Sequence, residues 1–371
     1  MTEKIKICFI IPTLTQGGAE RVLVTLIKHL DRSKFQISLM VVNMHEQMYL
    51  KEIPSDVNII DLKSKHVRTA LPKVIINLWK LKPDKVMSTI GYLNLAIGMV
   101  RFLMPKNIAF FARETIVVSE RIQRVRFPRL WRFWYTYYYP RFNKVICQSM
   151  DMLVDLCDVI GNDRNLVLIN NPVDRHAIRN LAAIKSFDST DFFKDKSKIY
   201  FVAAGRLIDQ KGFDLLVRAV AIASEPRIKL AILGHGPLEQ ELLKLIEKFS
   251  LEDNIFLVGY QKNPYSWISQ ADAFILSSLY EGFPNVLLEA LACQTNLIST
   301  PAPGGTKEIL DQVSGCFLAE QISADALAAS MSLFIHTERI NIQESAIDMY
   351  DVQNIVQQYE EVFLGSRQNV K

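Results

Sequence analysis

Residues 198–223 read KIYFVAA-GRLIDQKG-FDLLVRAVAIA, and this succession of residue types indicates the class of fold. Lys198–Ala204 is almost continuously apolar, as a strand buried in a parallel sheet should be. A loop with a glycine at each end follows, and the apolar spacing of Phe213–Ala223 then predicts a helix. A strand, a loop and a helix in this order predict one α/β unit of a parallel sheet that helices cover.

The same succession recurs on both sides of this stretch. Downstream it predicts strands at residues 229–233, 255–258 and 273–276. Upstream it predicts a helix at residues 19–30 and strands at residues 5–11, 36–42, 57–61, 85–88, 108–112 and 144–148. Strands that alternate with helices imply an α/β architecture with a parallel sheet in each half of the chain.

The chain is long enough for two domains. Its 371 residues exceed one typical core and fit two domains of about 150–200 residues each. The linker between them is predicted within residues 174–198, which contain a polar, acidic stretch at 188–195, and the last helix is predicted at 352–364. Ligands bind outside the carboxyl ends of parallel strands, so the loops that follow strands are the first place to look for a site.

Composition excludes several classes of protein. Hydrophobic residues make up 49% and charged residues 22%, which argues against global disorder. The five cysteines are odd in number and show no C-x-x-C spacing, so neither a disulfide framework nor a zinc site is expected, and a reducing cytoplasm is favoured. The apolar run at residues 7–11 is too short for a signal sequence, and Arg101 interrupts the longest apolar stretch, so no membrane span is predicted.

The net charge of +4 conceals a difference between the two halves. Residues 1–174 carry 25 Lys and Arg against 15 Asp and Glu, whereas the remainder carries 18 against 24. A basic first half beside an acidic second half predicts that the first domain meets an anionic surface.

The loop at residues 205–212 is the first candidate for chemistry. Arg206 and Lys211 lie five residues apart directly after a predicted strand. The planar fork of arginine and the mobile ammonium of lysine can together clamp a diphosphate. The alternative is a solvated turn with two surface cations.

The second candidate is the segment EGFPNVLLE at residues 281–289, which follows the predicted strand 273–276. Gly282 and Pro284 predict a turn that opens a helix, whose N-terminal N–H groups suit an anionic or hydroxyl-rich ligand. Glu281 lies in the turn and Glu289 lies inside the helix, where apolar neighbours surround it. A carboxylate in such a helix needs a partner, and vicinal sugar hydroxyls are good ones, although a capping Glu281 and a solvated Glu289 are the alternative.

The two motifs together strongly resemble glycosyltransferase family 4, in the form E-G-F-P-N-V-L-L-E-A combined with G-R-L and K-G. The resemblance extends to further segments of the chain, namely Gly17–Glu20, Asn171–Asp174, Gly234–Pro237 and Pro303–Ile309. It implies the GT-B fold, an α/β fold of two Rossmann-like domains that face each other across a cleft. The N-terminal, acceptor-binding domain would span residues 1–178 and the C-terminal, nucleotide-sugar-binding domain residues 196–350. A helix within residues 351–371 would cross back to the first domain.

The resemblance also implies roles for the matching residues. Arg206 and Lys211 would hold the donor diphosphate, Glu281 would contact the transferred sugar, and Glu289 would bind the ribose. The first three are the predicted catalytic residues. The donor-binding residues would be Gly17, Gly18, Gly205, Gly234, His235, Gly236, Tyr260, Gly282, Phe283, Pro284, Asn285 and Glu289.

The reaction that the resemblance implies retains the anomeric configuration by front-face attack. The leaving diphosphate would take the acceptor's proton, and the two cations would stabilise it. With no Asp-x-Asp motif, neither a metal nor another cofactor is expected. Two departures limit the transfer of roles: residues 88–92 lack the histidine of many relatives, and His235 stands where relatives often carry an acid, so it is treated as a loop residue.

A basic and aromatic stretch at residues 121–144 contains no acid and suits the headgroup region of an anionic membrane. Its predicted contacts are Arg124, Arg126, Arg129 and Arg132. Nucleic acid is not expected, because no nucleic-acid module surrounds the stretch, and the alternative is a core helix with solvated arginines. A lipid-linked glycan acceptor follows from membrane contact, and Glu114 is proposed to orient its sugar unless it simply pairs with Arg113.

The sequence therefore predicts a retaining hexosyl- or N-acetylhexosaminyltransferase that uses a nucleotide diphosphate sugar, with UDP preferred from the resemblance. It is expected in the cytoplasm, peripheral on the inner face of the cytoplasmic membrane, in the assembly of bacterial-type surface polysaccharides. Two alternatives stay open: a nucleotide-sugar epimerase or phosphorylase-like enzyme on the same fold, and a non-catalytic peripheral membrane scaffold.

Overall fold

Two parallel sheets, one of seven strands and one of six, organise the computed structural model of the chain. The structure describes residues 3–15, 17–45, 48–185, 187–311, 313–338 and 340–365. These residues form two units. The first unit runs to Pro172 and resumes at Val352, and the second unit is Val173–Asp351.

The first unit alternates strands and helices as the sequence pattern predicts. Its elements in chain order are β1 Ile5–Ile11, α1 Gly18–His29, β2 Phe35–Val41, β3 Asn58–Asp61, α2 Val67–Leu81, β4 Lys85–Thr89, α3 Gly91–Val100, β5 Ala109–Arg113, α4 Val118–Gln123, α5 Pro128–Tyr138, β6 Lys144–Cys147, α6 Met150–Ile160 and β7 Leu166–Leu168. The strand order is β3-β2-β1-β4-β5-β6-β7, and the strands pair in parallel.

The second unit repeats the arrangement. Its elements are α7 Arg175–Ala182, α8 Phe187–Phe192, β8 Ile199–Ala204, α9 Phe213–Ala223, β9 Ile228–Leu233, α10 Glu239–Lys248, β10 Ile255–Gly259, α11 Tyr265–Ile268, β11 Ala273–Leu276, α12 Asn285–Ala292, β12 Asn296–Ser299, α13 Thr306–Leu310, β13 Cys316–Leu318 and α14 Ala324–His336. Its strand order is β10-β9-β8-β11-β12-β13. The α/β prediction with a Rossmann-like sheet in each half is confirmed. Three short strands, β7, β12 and β13, were not predicted.

The segment predicted to hold the linker contains two short helices, α7 and α8. Asp174 caps α7, because its side chain accepts a hydrogen bond from the backbone N–H of Ala177 at 2.9 Å. Ile178 and Ala182 of α7 are buried in the core of the second unit. The polar appearance of residues 174–198 therefore reflects the outer faces of small helices.

In each sheet the strand order reverses at one point, and this reversal positions the site. In the second sheet β8 has β9 on one side and β11 on the other. The loops that leave β8 and β11 therefore start side by side at the carboxyl edge of the sheet, which is where ligands bind in open α/β sheets.

The last helix, α15 (Val352–Leu364), belongs to the first unit. Phe363 is completely buried, and its ring makes edge contacts with Phe9, Phe35 and Phe111 at centroid distances of 6.1, 6.2 and 5.4 Å. These three rings come from β1, β2 and β5, so one side chain of α15 packs against three strands of the first sheet. No helix among the described residues has the length and apolar character that crossing a bilayer requires.

We expect Phe363→Ala to lower the free energy of unfolding of the first unit by about 3–5 kcal/mol, because it removes a buried ring and leaves a cavity. Leu364→Ala is the control, since Leu364 is 47% exposed and its loss should cost within about 0.5 kcal/mol. Urea unfolding followed by tryptophan fluorescence measures both changes. Equal stability of the two variants would show that α15 contributes nothing to the core.

Candidate functional site

Two loops meet at the carboxyl edge of the second sheet. Residues 205–212 leave β8, and residues 277–284 leave β11. The backbone N–H of Leu279 donates to the carbonyl of Gln210 at 2.8 Å, and the Gln210 side-chain amide donates to the carbonyl of Tyr280 at 2.9 Å. These bonds hold the two predicted motifs together as one structure.

Ser277 and Gly212 also connect the two loops. The hydroxyl of Ser277 donates to the carbonyl of Lys211 at 2.8 Å. Gly212 has a φ of +58°, which favours glycine, and a Cβ there would overlap the carbonyl oxygen of Ser277. Only glycine therefore lets the end of the first loop lie against the start of the second.

Lys211 and Glu281 form an ion pair across the two loops. The Lys211 ammonium lies 2.6 Å from Oε1 of Glu281, and both side chains are mostly buried. The hydroxyl of Ser278 donates to the same oxygen at 2.6 Å. Arg206 lies in the loop after β8, is exposed and has no ionic partner in the described part of the chain. The edge of the sheet therefore offers one paired cation and one unpaired cation.

Backbone hydrogen bonds connect the turn at Glu281 and Gly282 to the segment that follows β12. The backbone N–H of Glu281 donates to the carbonyl of Pro303 at 2.9 Å, and that of Gly305 donates to the carbonyl of Gly282 at 2.8 Å. Gly304 has a φ of +114°, and a Cβ there would lie 2.6 Å from the carbonyl oxygens of Glu281 and Gly282. Among the described residues, the N–H groups of Gly282 and Phe283 have no acceptor. They remain available to a ligand.

The helix that follows, α12, fixes the rest of the second motif. Pro284 stands at its N-cap position and Asn285 is its first residue. Phe283 is buried and its ring packs at a tilt against Tyr350, at a centroid distance of 5.6 Å. The turn is therefore anchored in the core of the second unit.

Glu289 lies in the second turn of α12 and is buried. Burial raises the pKa of the neighbouring Cys293 thiol to about 12, and the charge of Glu289 adds to that rise. Burial among apolar residues is what the sequence pattern indicated for this carboxylate, and its role as a ribose ligand stays a prediction.

Glycines let the loops after β8 and β9 approach closely. Gly234 has a φ of +140°, and a Cβ on it would overlap the carbonyl oxygen of Gly205. A Cβ on Gly236 would overlap the carbonyl oxygen of Leu207. A Cβ on Gly205 would lie 3.3 Å from the aliphatic stem of Lys211, so the lysine lies directly over the glycine. These three predicted glycines therefore allow the close loop packing on which the Lys211 side chain lies.

His235 and Tyr260 connect the loops after β9 and β10. The backbone N–H of Tyr260 donates to Nε2 of His235 at 3.3 Å, and Nδ1 of His235 lies 3.6 Å from the carboxylate of Glu239. His235 therefore connects the two loops, and the donor-binding roles of His235 and the exposed Tyr260 stay predictions.

In the first unit, Gly17 and Gly18 begin helix α1. The carboxylate of Glu20 occupies the space that a side chain on Gly17 would need. Glu20 is buried and accepts a hydrogen bond from the Thr13 hydroxyl at 3.0 Å. The prediction that Gly17 and Gly18 approach the donor is not tested by this arrangement.

For Glu114 the sequence left two readings open, a residue that orients the acceptor sugar and a surface carboxylate paired with Arg113. Its side chain is completely buried in the first unit. Asn94 donates to its Oε1 at 3.2 Å, and the hydroxyl of Tyr139 donates to the same oxygen. Arg113 does not pair with it; its guanidinium donates instead to Asn171 at 2.5 Å and to Tyr359 at 3.1 Å. The alternative of a surface carboxylate paired with Arg113 is therefore wrong, and the proposed role of Glu114 toward the acceptor sugar stays a prediction.

The predicted basic and aromatic stretch forms helices α4 and α5 and the turn after them. We name its exposed part the basic–aromatic surface. It comprises Arg124, Arg126, Phe127, Arg129, Leu130, Arg132, Phe133, Tyr137 and Arg141, all of them exposed. Tyr135 and Tyr139 point inward and are completely buried. The alternative of a helix with all of its aromatic rings inside is therefore wrong, since four large apolar side chains face outward with the arginines.

Sequence reasoning missed the hydroxyl side chains that support the site. Ser277 and Ser278 follow β11, and Thr300 follows β12. Their position directly after strands was the signal that could have singled them out, because it places them at the same edge as the motifs. Within the described ranges, no three potential metal-ligating His, Cys, Asp or Glu side chains come together.

Two protein-family models match the chain. The model described as Glycosyltransferase Family 4 matches residues 16–177, and the model described as Glycosyl transferases group 1 matches residues 185–349. The first match covers most of the first unit and the second match most of the second unit.

Two curated proteins of Campylobacter jejuni are similar over most of their length. One is N-acetylgalactosamine-N,N'-diacetylbacillosaminyl-diphospho-undecaprenol 4-alpha-N-acetylgalactosaminyltransferase, 27% identical over 90% of this chain and 91% of the relative. The other is GalNAc-alpha-(1->4)-GalNAc-alpha-(1->3)-diNAcBac-PP-undecaprenol alpha-1,4-N-acetyl-D-galactosaminyltransferase, 26% identical over 90% of this chain and 89% of the relative. Both names describe transfer of an aminosugar to a glycan on a diphospho-lipid.

Among solved structures, Anabaena Alr3699/HepE in complex with UDP and glucose is similar, with a TM-score of 0.81 over 97% of this chain and all of that chain. The identity is 19%, so the likeness concerns the fold. That fold is GT-B, as the sequence resemblance implied.

We expect Glu114 to make the stability of the first unit depend on pH. Burial is the main cause that raises its pKa from 4.5 to about 7, so the folded state favours the neutral acid. The stabilisation is present in full below about pH 4.5 and is lost as pH rises through 7. At about 1.4 kcal/mol for each pH unit between the two pKa values, the loss is about 3 kcal/mol.

The substitution Glu114→Gln imitates the neutral acid, so we expect its stability to lack this dependence. Between pH 5 and pH 8, the free energy of unfolding of the wild type should fall by about 2–3 kcal/mol relative to that of Glu114→Gln. Urea unfolding at both pH values measures it, with the exposed Glu3→Gln as control. A constant difference between the wild type and Glu114→Gln would show that the carboxyl group ionises normally in the fold.

Proposed function

The chain belongs to glycosyltransferase family 4, and on that premise we propose that it is a retaining transferase that moves a sugar from a UDP-sugar to a lipid-linked glycan. The observation that carries the proposal is the cluster at the carboxyl edge of the second sheet. There the Lys211–Glu281 ion pair and the unpaired Arg206 lie where the loops after β8 and β11 meet. Cations and a carboxylate at one edge fit a ligand with a diphosphate at one end and a hydroxyl-rich sugar at the other.

The proposed step breaks the bond between the sugar's anomeric carbon and the diphosphate oxygen. The acceptor oxygen forms its bond to the same carbon on the same face, and its proton passes to the leaving diphosphate. Arg206 and Lys211 stabilise the negative charge that develops on that leaving group, which is electrostatic catalysis. This chemistry requires no metal and no cofactor.

The relatives support the choice of substrates. The two Campylobacter proteins are named for transfer of N-acetylgalactosamine units to undecaprenol-diphosphate glycans, and the structural neighbour was solved with UDP. We therefore propose an N-acetylhexosamine or hexose carried by UDP as the donor. The acceptor is a glycan on a diphospho-lipid used in the assembly of surface polysaccharide. The reaction takes place in the cytoplasm.

Lys211→Met should lower kcat/KM by about 100-fold or more, because it removes a cation from the leaving diphosphate. Methionine retains the aliphatic stem over Gly205, so the loop should keep its shape. Glu289→Gln should raise KM for the donor by about tenfold through a weakened contact to the ribose. Transfer from radiolabelled UDP-sugar to a synthetic lipid-linked acceptor measures both.

Two exposed residues of α10 supply matched controls, Lys244→Met and Glu241→Gln. Both should keep wild-type kinetics, and circular dichroism should show all four variants folded. Full activity of folded Lys211→Met would refute the proposed donor site. Conversion of a UDP-sugar to its epimer without an acceptor would refute transfer as the reaction.

The basic–aromatic surface supports a second part of the proposal, that the first unit binds an anionic membrane. Arg126 and Arg129 have no acidic partner among the described residues. The rings of Phe133 and Tyr137 stack at 5.8 Å and face solvent. Exposed rings that can enter the headgroup region, beside cations that attract anionic lipids, are the features of an interfacial helix.

The exposed apolar area continues beyond α5. Arg101 donates to the carbonyl of Arg141, which places the turn at residues 101–103 next to the end of the basic–aromatic surface. Phe102 in that turn is 81% exposed. The indole N–H of Trp79 donates to the carbonyl of Leu103 at 3.0 Å, so another exposed ring lies next to this turn. Exposed apolar side chains near cations fit a lipid surface better than water.

Arg126→Gln with Arg129→Gln should weaken binding to vesicles by roughly 30-fold, since each arginine near an anionic bilayer contributes about 1 kcal/mol. Vesicles of phosphatidylglycerol and phosphatidylethanolamine in a sedimentation assay measure the change. Lys4→Gln with Lys51→Gln removes the same charge from elsewhere on the first unit and should change binding little. Equal binding by both double variants would contradict the role of this surface.

A further inference from the structure

Ser278 lies directly after β11 and is completely buried. Its hydroxyl donates to Oε1 of Glu281 at 2.6 Å. A hydrogen bond to a charged group is stronger than one between neutral groups, so this contact is a substantial constraint on the carboxylate.

The contacts of the Glu281 carboxylate are unequal. Oε1 accepts from both the Ser278 hydroxyl and the Lys211 ammonium, each at 2.6 Å. Within the described residues, Oε2 has no hydrogen-bond partner. One oxygen is therefore fixed by the protein, and the other is left for a ligand.

Ser278 is held independently of Lys211. The hydroxyl of Thr300 donates to the carbonyl of Ser278 at 2.6 Å, and the backbone N–H of Thr300 donates to the carbonyl of Leu276 at 2.9 Å. Thr300 is also completely buried. The end of β12 therefore fixes Ser278 whether or not Lys211 is in place.

We propose that Ser278 is a positioning residue that holds Glu281 toward the transferred sugar when the donor diphosphate engages Lys211. The inference rests on the proposed function. A buried carboxylate that shares its cation with a diphosphate needs another donor to stay in place, and Ser278 is the donor that remains. Oε2 then keeps its direction and accepts from a hydroxyl of the sugar.

The neighbouring Ser277 has a different role. Ser277 donates to the backbone carbonyl of Lys211 and so fixes the loop. Ser278 contacts a side chain whose proposed ligand is the sugar alone. Loss of the Ser278 hydroxyl should therefore affect recognition of the sugar and spare recognition of UDP.

The test compares the dissociation constants of UDP and of a UDP-sugar by isothermal titration calorimetry. The UDP-sugar is the tightest binder to the wild type among UDP-glucose, UDP-galactose, UDP-N-acetylglucosamine and UDP-N-acetylgalactosamine. We expect Ser278→Ala to weaken binding of the UDP-sugar about tenfold and to change binding of UDP less than twofold. Ser266→Ala is the matched control, because Ser266 is equally buried in the same unit and its hydroxyl donates to the carbonyl of Asn263. It should change neither constant.

A double-mutant cycle with Glu281→Gln separates a role through Glu281 from a general effect on the loop. The effect of Ser278→Ala should largely disappear in the Glu281→Gln background. Ser278→Cys keeps nearly the same volume with a weaker donor, and it should give the same selective loss if the alanine variant does not fold.

Equal weakening of UDP and UDP-sugar binding, or none, would overturn the role of Ser278. Additive effects in the cycle would do the same. A wild type that binds neither UDP nor a UDP-sugar would overturn the proposed function and this inference together, so the two failures are distinguishable.

Discussion

The ion pair between Lys211 and Glu281 depends on one topological fact, that β8 and β11 are neighbours although about 70 residues separate them in the chain. Opposite charges in two sequence motifs meet because both loops leave the sheet at the same edge. The surrounding glycines and serines support this ion pair. Gly212 permits the close approach of the two loops, and Ser277 and Ser278 hold one member of the pair each.

The first unit uses the same architecture for a different purpose. Its interior contains a buried polar group, Glu114, that Tyr139 and Asn94 satisfy on one oxygen only, and burial raises its pKa to about 7. Its outer face on α5 carries exposed rings and arginines instead of the usual mixture of charges. Within α5, Tyr135 points inward and Phe133 and Tyr137 outward, so one short helix contributes both to the core and to the proposed membrane contact.

The sequence predicted the parts of the fold that local pattern controls. Continuous apolar strands and helical spacing gave the alternation in both units, and β11 and α9 have the predicted bounds. It also predicted that Arg206, Lys211 and Glu281 would lie at strand ends. The edge strands β7 and β13 have three residues each and are too short for a periodic signal.

Local sequence patterns could not predict the contacts between residues that are distant in the chain. Pairing of Arg113 with its neighbour Glu114 was one alternative, but Arg113 bonds Tyr359, which lies 246 residues away on a helix that returns to the first sheet. The segment predicted to hold the linker contains α7 because Ile178 and Ala182 find a core that composition does not reveal. Ser278 stayed unremarked because a single serine carries no pattern, and only its 2.6 Å contact with Glu281 shows what it does.

The central claim is that the edge of the second sheet binds a nucleotide diphosphate sugar through both cations and both carboxylates. The most direct measurement is a crystal structure of the protein with UDP and a non-transferable UDP-sugar analogue. The account predicts diphosphate oxygens within hydrogen-bond distance of Arg206 and Lys211, ribose hydroxyls on Glu289 and a sugar hydroxyl on Glu281. A nucleotide bound elsewhere, or at this edge with neither cation in contact, would contradict it.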